Sequence, residues 1–288
     1  MGPEAARRPL ASDALALVGL AGGVFGAVAW LPRIVASDAK VESWPAIDRI
    51  ELSLALDEPP KFRAEAILDL SAIDGRTVHL LLNRALAPDR VETSGGRAVP
   101  WKDLGRLASR YWREGRVLAL DLGEAPRGGR ARVRVAYSGR ADDEKRGRDW
   151  RGMLLLAADE LRMSEQTVFY PLAPAELESP AVRRAPARVT VVAPADLEVF
   201  VSGRTCEAPP AHDGARSWCF EIARPSTLSV VGGRRTRRET VRDGARVVTL
   251  LLPEHAELAG AIADESSRMI ASFAARFGAS PDATLGVF

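Results

Sequence analysis

The sequence predicts a mainly β protein: an antiparallel sandwich or saddle-like domain, preceded by an apolar export helix and ended by one amphipathic helix. Three observations carry this expectation. From Ile50 onward, apolar and polar residues alternate with the period of two that places one face of a strand in a core. Gly, Pro and Asp-Gly turn signals interrupt that alternation roughly every ten residues, the spacing of a many-stranded sheet. After Pro253 the period changes to that of a helix, with Leu258, Ile262, Met269, Phe273 and Phe277 on one stripe.

The N-terminal element rests on charge as much as on hydropathy. Arg7 and Arg8 precede an uncharged apolar run from Ala14 to Leu31. At about 1.5 Å per residue this run just spans a hydrocarbon layer of about 30 Å, so it reads as an uncleaved signal anchor. The small residues Ala27 and Ala29 around Val28 equally suit a cleaved signal peptide. Either way the chain is expected to be exported, and membrane-anchored, periplasmic or extracellular. Gly19, Gly22, Gly23 and Gly26 lie in this run without a preceding strand or a βαβ unit, which excludes a dinucleotide loop.

Residues 37–46 read as a linker, and strands follow in order. Ile50, Leu52, Leu54 and Leu56 share one face, and after Pro59-Pro60 so do Phe62, Ala64, Ala66, Leu68 and Leu70. Val78 to Leu82 continues the series beyond the Asp74-Gly75 turn. Val117 to Leu122 and Arg132 to Tyr137 flank a glycine-rich turn. Arg140 to Arg151 is a charged, solvated loop, and Met153 to Ala158 is one more strand. Val189 to Val192, Glu198 to Ser202, Ser217 to Ile222, Thr227 to Val231 and Val247 to Leu252 complete the set. The basic run Arg234 to Glu239 reads as a hairpin tip between two of them. Pro253 suits a helix start, Gly278 its end, and Thr284 to Phe288 begins something extended. The expected divisions are therefore 1–36 signal peptide or anchor, 37–46 linker, 47–252 β saddle domain and 253–288 helix and strand.

Composition narrows the partners. The 40 basic and 38 acidic residues leave a net charge of +2, which gives nucleic acid no electrostatic foothold as a main partner. The two cysteines, Cys206 and Cys219, flank a turn-rich stretch, EAPPAHDGARSW, with strand-like residues on both sides. In an exported chain this placement predicts a Cys206–Cys219 disulfide, worth about 3 kcal/mol in the chain-entropy picture.

Several segments together resemble the N-terminal portion of the aminopeptidase N family of zinc metallopeptidases, the gluzincins. They are IELSLALDEPPKFRAEAILDL, VHLLLNRALAPDRVETSGG, ARVRVAYSG with Tyr137 and Gly139, TVFYPLAPA with Tyr170 and Pro171, VTVVAPADLEVFVSG ending at Ser202 and Gly203, and MIASFAARFGASPDATLGVF. The resemblance runs from about Ile47 to Phe288 and implies a β saddle, with residues 253–288 beginning a catalytic domain. It implies that zinc belongs to that catalytic domain and that this chain stops before the strand expected to bind the substrate's free amine. It also implies an acidic or amide side chain near Tyr170-Pro171; Glu176 and Glu178 are in range, and neither is assigned.

The chemistry of that family requires two histidines one helical turn apart in an H-E-x-x-H motif. His79, His212 and His255 are followed by Leu80, Asp213 and Ala256, so none begins it. No G-x-S-x-G elbow supplies a serine nucleophile. The expectation is accordingly no catalytic residue, no metal ligand and no cofactor in this chain. Two readings follow: a non-catalytic scaffold or interaction module, or the truncated or split front half of a metallo-aminopeptidase. Both leave the helix stripe as a docking face, for a catalytic half or for self-association, and the N-terminal run as the membrane contact.

Overall fold

The structure is a computed structural model that describes residues 41–287, apart from 42, 108, 110, 111, 113, 142–153, 175–184, 224–227, 243–244 and 279–283. The N-terminal export segment therefore lies outside the described residues. Among those described, no helix is long and apolar enough to cross a membrane.

The described chain is mainly β, as the alternation predicts. Its largest sheet has seven strands, in the order β12 (Arg204–Thr205), β13 (Ala215–Ile222), β10 (Ala187–Pro194), β1 (Ala46–Ala55), β2 (Lys61–Ser71), β7 (Ala131–Arg140) and β4 (Leu86–Thr93). A three-stranded sheet orders β3 (Thr77–Asn83), β6 (Gly115–Asp121) and β5 (Trp101–Arg106). A four-stranded sheet orders β11 (Glu198–Val201), β14 (Ser229–Gly233), β9 (Glu160–Ser164) and β8 (Leu155–Leu156). The last sheet holds β15 (Thr236–Arg242), β16 (Ala245–Leu251) and β17 (Thr284–Val287), with helix α1 (Ala259–Phe277) against it.

The expected faces of β1 and β2 are the buried ones. Leu52, Leu54, Leu56, Phe62, Ala66, Leu68 and Leu70 all lie in a single core shared by the seven-stranded, four-stranded and β3–β6–β5 sheets. Their polar neighbours form the outer face of the seven-stranded sheet, where charges pair across strands. Arg132 lies 2.9 Å from Glu51 and 3.4 Å from Asp69, and Arg134 lies 3.6 Å from Glu65. Such half-exposed pairs contribute at most about 1 kcal/mol each, so the apolar face, not the ladder, holds the sheet.

Gly139 shows why one resemblance residue is what it is. It pairs with Leu86 of β4 and Phe62 of β2 near the end of β7, and a β-carbon there would collide with the Ala85 carbonyl. Two residues earlier, Tyr137 is buried, its ring beside Phe62 at 6.0 Å, and its hydroxyl donates to the Phe169 carbonyl at 3.1 Å.

The structure departs from the sequence expectation in several places. The sheets are not wholly antiparallel: β1 runs parallel to β10, and β16 parallel to β17. The β1–β10 pair joins the two halves of the large sheet across a long intervening segment that carries the β3–β6–β5 sheet and strands β8 and β9, a pairing that local alternation does not reveal. Arg234 to Glu239 is not a hairpin tip. Only Arg234 and Arg235 turn, and Thr236 onward is β15, paired along its length with β16. Its charged side chains alternate between the two faces of that ribbon; Arg246 meets Glu239 at 2.7 Å, and Arg237 reaches the Val199 carbonyl. Strands β4 and β5 lack the apolar alternation that marks their neighbours: a bulge between Pro88 and Arg90 breaks the period of β4, which buries Leu86, Pro88 and Val91, and β5 is largely solvated. At the segment read as a linker, Val41 and Trp44 pack against the main core. The charged loop Arg140 to Arg151 and the start of the strand read from Met153 lie mostly outside the described residues.

Candidate functional site

Cys206 and Cys219 are joined, with sulfurs 1.96 Å apart and Cα atoms at 4.9 Å. The bridge closes the base of the loop between β12 and β13. That loop does not stand out into solvent. It folds back over the outer face of the large sheet, and its Glu207–Pro210 segment walls a cleft of about 440 Å³. The opposite wall is Glu51 and Ser53 of β1 with Arg188 and Thr190 of β10.

The three histidines are far apart in role. His79 lies half-buried in β3 and His255 is exposed in the short turn Pro253–Leu258. His212 sits in the disulfide loop with its Nε2 2.5 Å from Asp57 Oδ2. Sequence reasoning placed His212 in solvent. The ring is 59% exposed, but its position is set by a carboxylate 155 residues away, which no local signal indicates. Among the described residues, no three His, Cys, Asp or Glu side chains are grouped so as to hold a metal ion. Glu176 and Glu178 lie outside the described residues.

Among the described residues the buried acidic side chain is Glu165, just before Tyr170-Pro171. Glu165 is 5% exposed and opens a 3-10 turn, Glu165–Thr167, that follows β9. Its carboxylate accepts from the Leu228 backbone N–H at 2.7 Å and from the Tyr170 hydroxyl at 3.4 Å. The turn is held by Thr167, whose hydroxyl donates to the Ser164 carbonyl at 2.6 Å and accepts from the Ser164 N–H at 3.3 Å. It ends at Val168, a fully buried β-branched residue at φ +54°, a left-handed conformation that costs such a residue free energy. Buried Asn83 at the end of β3 reaches across, donating to the Thr167 carbonyl at 2.6 Å and accepting from the Ala85 N–H at 2.8 Å. The corner thus ties the four-stranded sheet to the three-stranded one, and every polar group named here is matched. The Ser164-x-x-Thr167 spacing, a capping pattern ahead of an apolar run, is the sequence signal that marks it.

Helix α1 carries the second distinctive surface. The stripe read from the sequence exists, but it faces outward. Ala259, Ala263, Ser266 and Ser267 are the buried side, whereas Leu258, Met269, Phe273 and Phe277 are exposed, Phe277 at 79%. Small side chains allow the helix to lie close on β16, whose Val247 and Thr249 are buried on the side opposite the Phe200–Val248–Leu250 cluster. Seating the Phe273 face instead would hold the helix several ångströms farther off. Phe273 and Phe277 stack on each other at 6.1 Å, with no larger core over them. Gly278 ends the helix at φ +87°, its N–H bonded to the Ala274 carbonyl, as the sequence predicts.

No protein-family model and no curated protein matches the sequence. Solved structures do match the fold. An M1 zinc metallopeptidase from Deinococcus radiodurans superposes with a TM-score of 0.61 at 18% identity, over 85% of this chain and 56% of that one. A mutant of it bound to a Tyr-Ser-Ala substrate gives 0.61 at 19% identity over the same shares. A two-domain M1 zinc metallopeptidase mutant bound to L-tryptophan gives 0.62 at 18% identity, over 87% of this chain and 58% of that one. The chain therefore has the fold of part of an M1 zinc metallopeptidase, and spans little more than half the length of the structures it resembles.

Proposed function

We propose that this chain is a non-catalytic β domain that holds a catalytic half of the zinc-aminopeptidase kind through the outward face of helix α1. The observation that carries this is the row Leu258, Met269, Phe273 and Phe277, left exposed on a helix whose other side is already seated. A stacked, exposed aromatic row of this kind is the sort of surface that a partner covers. The likeness to part of a two-domain metallopeptidase supports a partner of this kind. The absence of H-E-x-x-H from the sequence supports assigning zinc and catalysis to that partner. The disulfide and the N-terminal apolar run support an exported, oxidising location.

The test is to read the source DNA beyond the codon for Phe288, express any H-E-x-x-H frame found there, and mix the two proteins. The expected result is a one-to-one complex in sedimentation that is lost in Phe273→Ser, with zinc carried by the H-E-x-x-H partner, none by this chain, and aminoacyl-reporter cleavage restored in the mixture. Stoichiometric zinc and cleavage in the isolated chain would overturn the reading. Concentration-dependent dimers of this chain, abolished by Phe273→Ser, would replace the catalytic half with a second copy.

A further inference from the structure

The disulfide loop is fixed at both ends by different chemistry. At its base the Cys206–Cys219 bond is reinforced by the Cys206 N–H, which donates to the Cys219 carbonyl at 2.9 Å. At its tip His212 meets the turn between β1 and β2. The imidazole touches an oxygen acceptor on each side: Asp57 Oδ2 lies 2.5 Å from Nε2, and the Asp213 carbonyl lies 3.0 Å from Nδ1. A neutral imidazole carries one N–H and can donate to only one of these. The imidazolium donates to both. When it loses a proton, a ring lone pair is left facing an oxygen lone pair, and the contact turns from attractive to repulsive.

The surrounding charges favour the same state. Asp57 is 11% exposed and lies 3.4 Å from the Arg63 guanidinium of β2. Arg63 also meets Glu58 at 3.2 Å, and Glu58 is bound by Lys61 at 2.8 Å. Burial pulls the Asp57 carboxyl up, but the His212 hydrogen bond, its own backbone N–H and Arg63 outweigh this and bring it below its ordinary value. The Asp213 carbonyl first, and Asp57 next, raise His212 above its ordinary 6.5. A raised histidine contributes fully below 6.5 and loses its contribution as pH climbs through the folded value. A depressed carboxyl contributes above 3.8 and loses its contribution as pH falls through the folded value. The charged pair therefore exists in the mildly acidic window between those limits.

We propose that residues 206–214 form a pH-sensitive strap, held across the outer sheet face by the His212 imidazolium in mildly acidic solution and released from Asp57, opening the cleft beneath, when that proton leaves. The disulfide keeps the base closed, so only the tip and the Glu207–Pro210 wall move. What opens is a polar cleft presenting Ser53, Thr190 and the Arg188 guanidinium. Because the ring is 59% exposed, the latch is modest and weakens with salt.

Hydrogen exchange on the full-length, disulfide-intact chain tests this at about pH 5.5 and about pH 8, after correction for intrinsic rates. The reporters are the Ala215 and Ala195 amides, which donate to the His212 and Gly214 carbonyls at 3.1 and 3.0 Å. Their protection is expected to fall about threefold at the higher pH, and to show no pH response in His212→Gln or Asp57→Asn. The Ala66 and Val135 amides between β2 and β7 serve as the folding control. Equal wild-type protection at the two pH values, or a His212→Gln variant that keeps the wild-type response, would overturn the proposal. Nuclear magnetic resonance of the wild type gives a second reading that needs no variant. His212 protonated on both nitrogens, with a midpoint above 6.5, supports the latch, and a midpoint at or below 6.5 sinks it.

Discussion

The β body and the C-terminal unit pack by opposite rules. In the body, large apolar side chains face inward on every main strand, and Leu52, Leu54, Phe62, Leu68 and Leu80 join one continuous core. Among the described residues of the C-terminal unit, Val247, Val248 and Leu250 are the buried large apolar side chains, with Phe200 of β11 packed on Val248 and Leu250; the helix is seated on alanine and serine, and Met269, Phe273 and Phe277 face out. The body buries its large apolar side chains, while the unit at its end leaves Met269, Phe273 and Phe277 exposed. The difference teaches that hydrophobic periodicity gives the direction of a stripe but not which side of the helix meets the protein. Side-chain size decides that when a sheet surface such as β16 is already filled.

Three substitutions break or sharpen this comparison. Phe62→Ala removes a fully buried ring from the body and is expected to cost about 3–5 kcal/mol, lowering the midpoint of the whole denaturant transition. Ala263→Leu inserts volume under the helix and should cost about 1–3 kcal/mol. Its effect should show as lost exchange protection in α1 and β16, with the β2–β7 amides unchanged; an unchanged α1 would mean that the seated face is not the small one. Phe273→Ser should alter stability by no more than about 0.5 kcal/mol in chemical denaturation, because that side chain is exposed. A loss as large as that of Phe62→Ala would place Phe273 in a core instead.

The same contrast explains what the sequence revealed of each site. Strands with one dry face announced themselves, because alternation and burial are one physical fact. Strands β4 and β5 did not, since a bulge breaks the period of β4 and solvent covers most of β5. The disulfide was legible because two cysteines bracket one turn-rich segment and have no other partners to choose from. Glu165 was passed over because a single glutamate near a tyrosine looks like any surface residue until burial is known. The Asp57–His212 contact could not be read at all. It joins two turns 155 residues apart, and only the parallel pairing of β1 with β10 brings the disulfide loop over the β1–β2 turn.

By itself the sequence determined the β class, the face that each main strand buries, the helix with its glycine end, and the absence of a zinc-peptidase motif. These follow from residue order alone, through period, turn chemistry and motif spacing. The tertiary structure decided which strands neighbour which, that helix α1 turns its small side inward, and that His212 sits between two acceptors. Those outcomes depend on pairing and close packing between distant segments, where the free energy of a position is set by its neighbours in space and not by its neighbours in the chain.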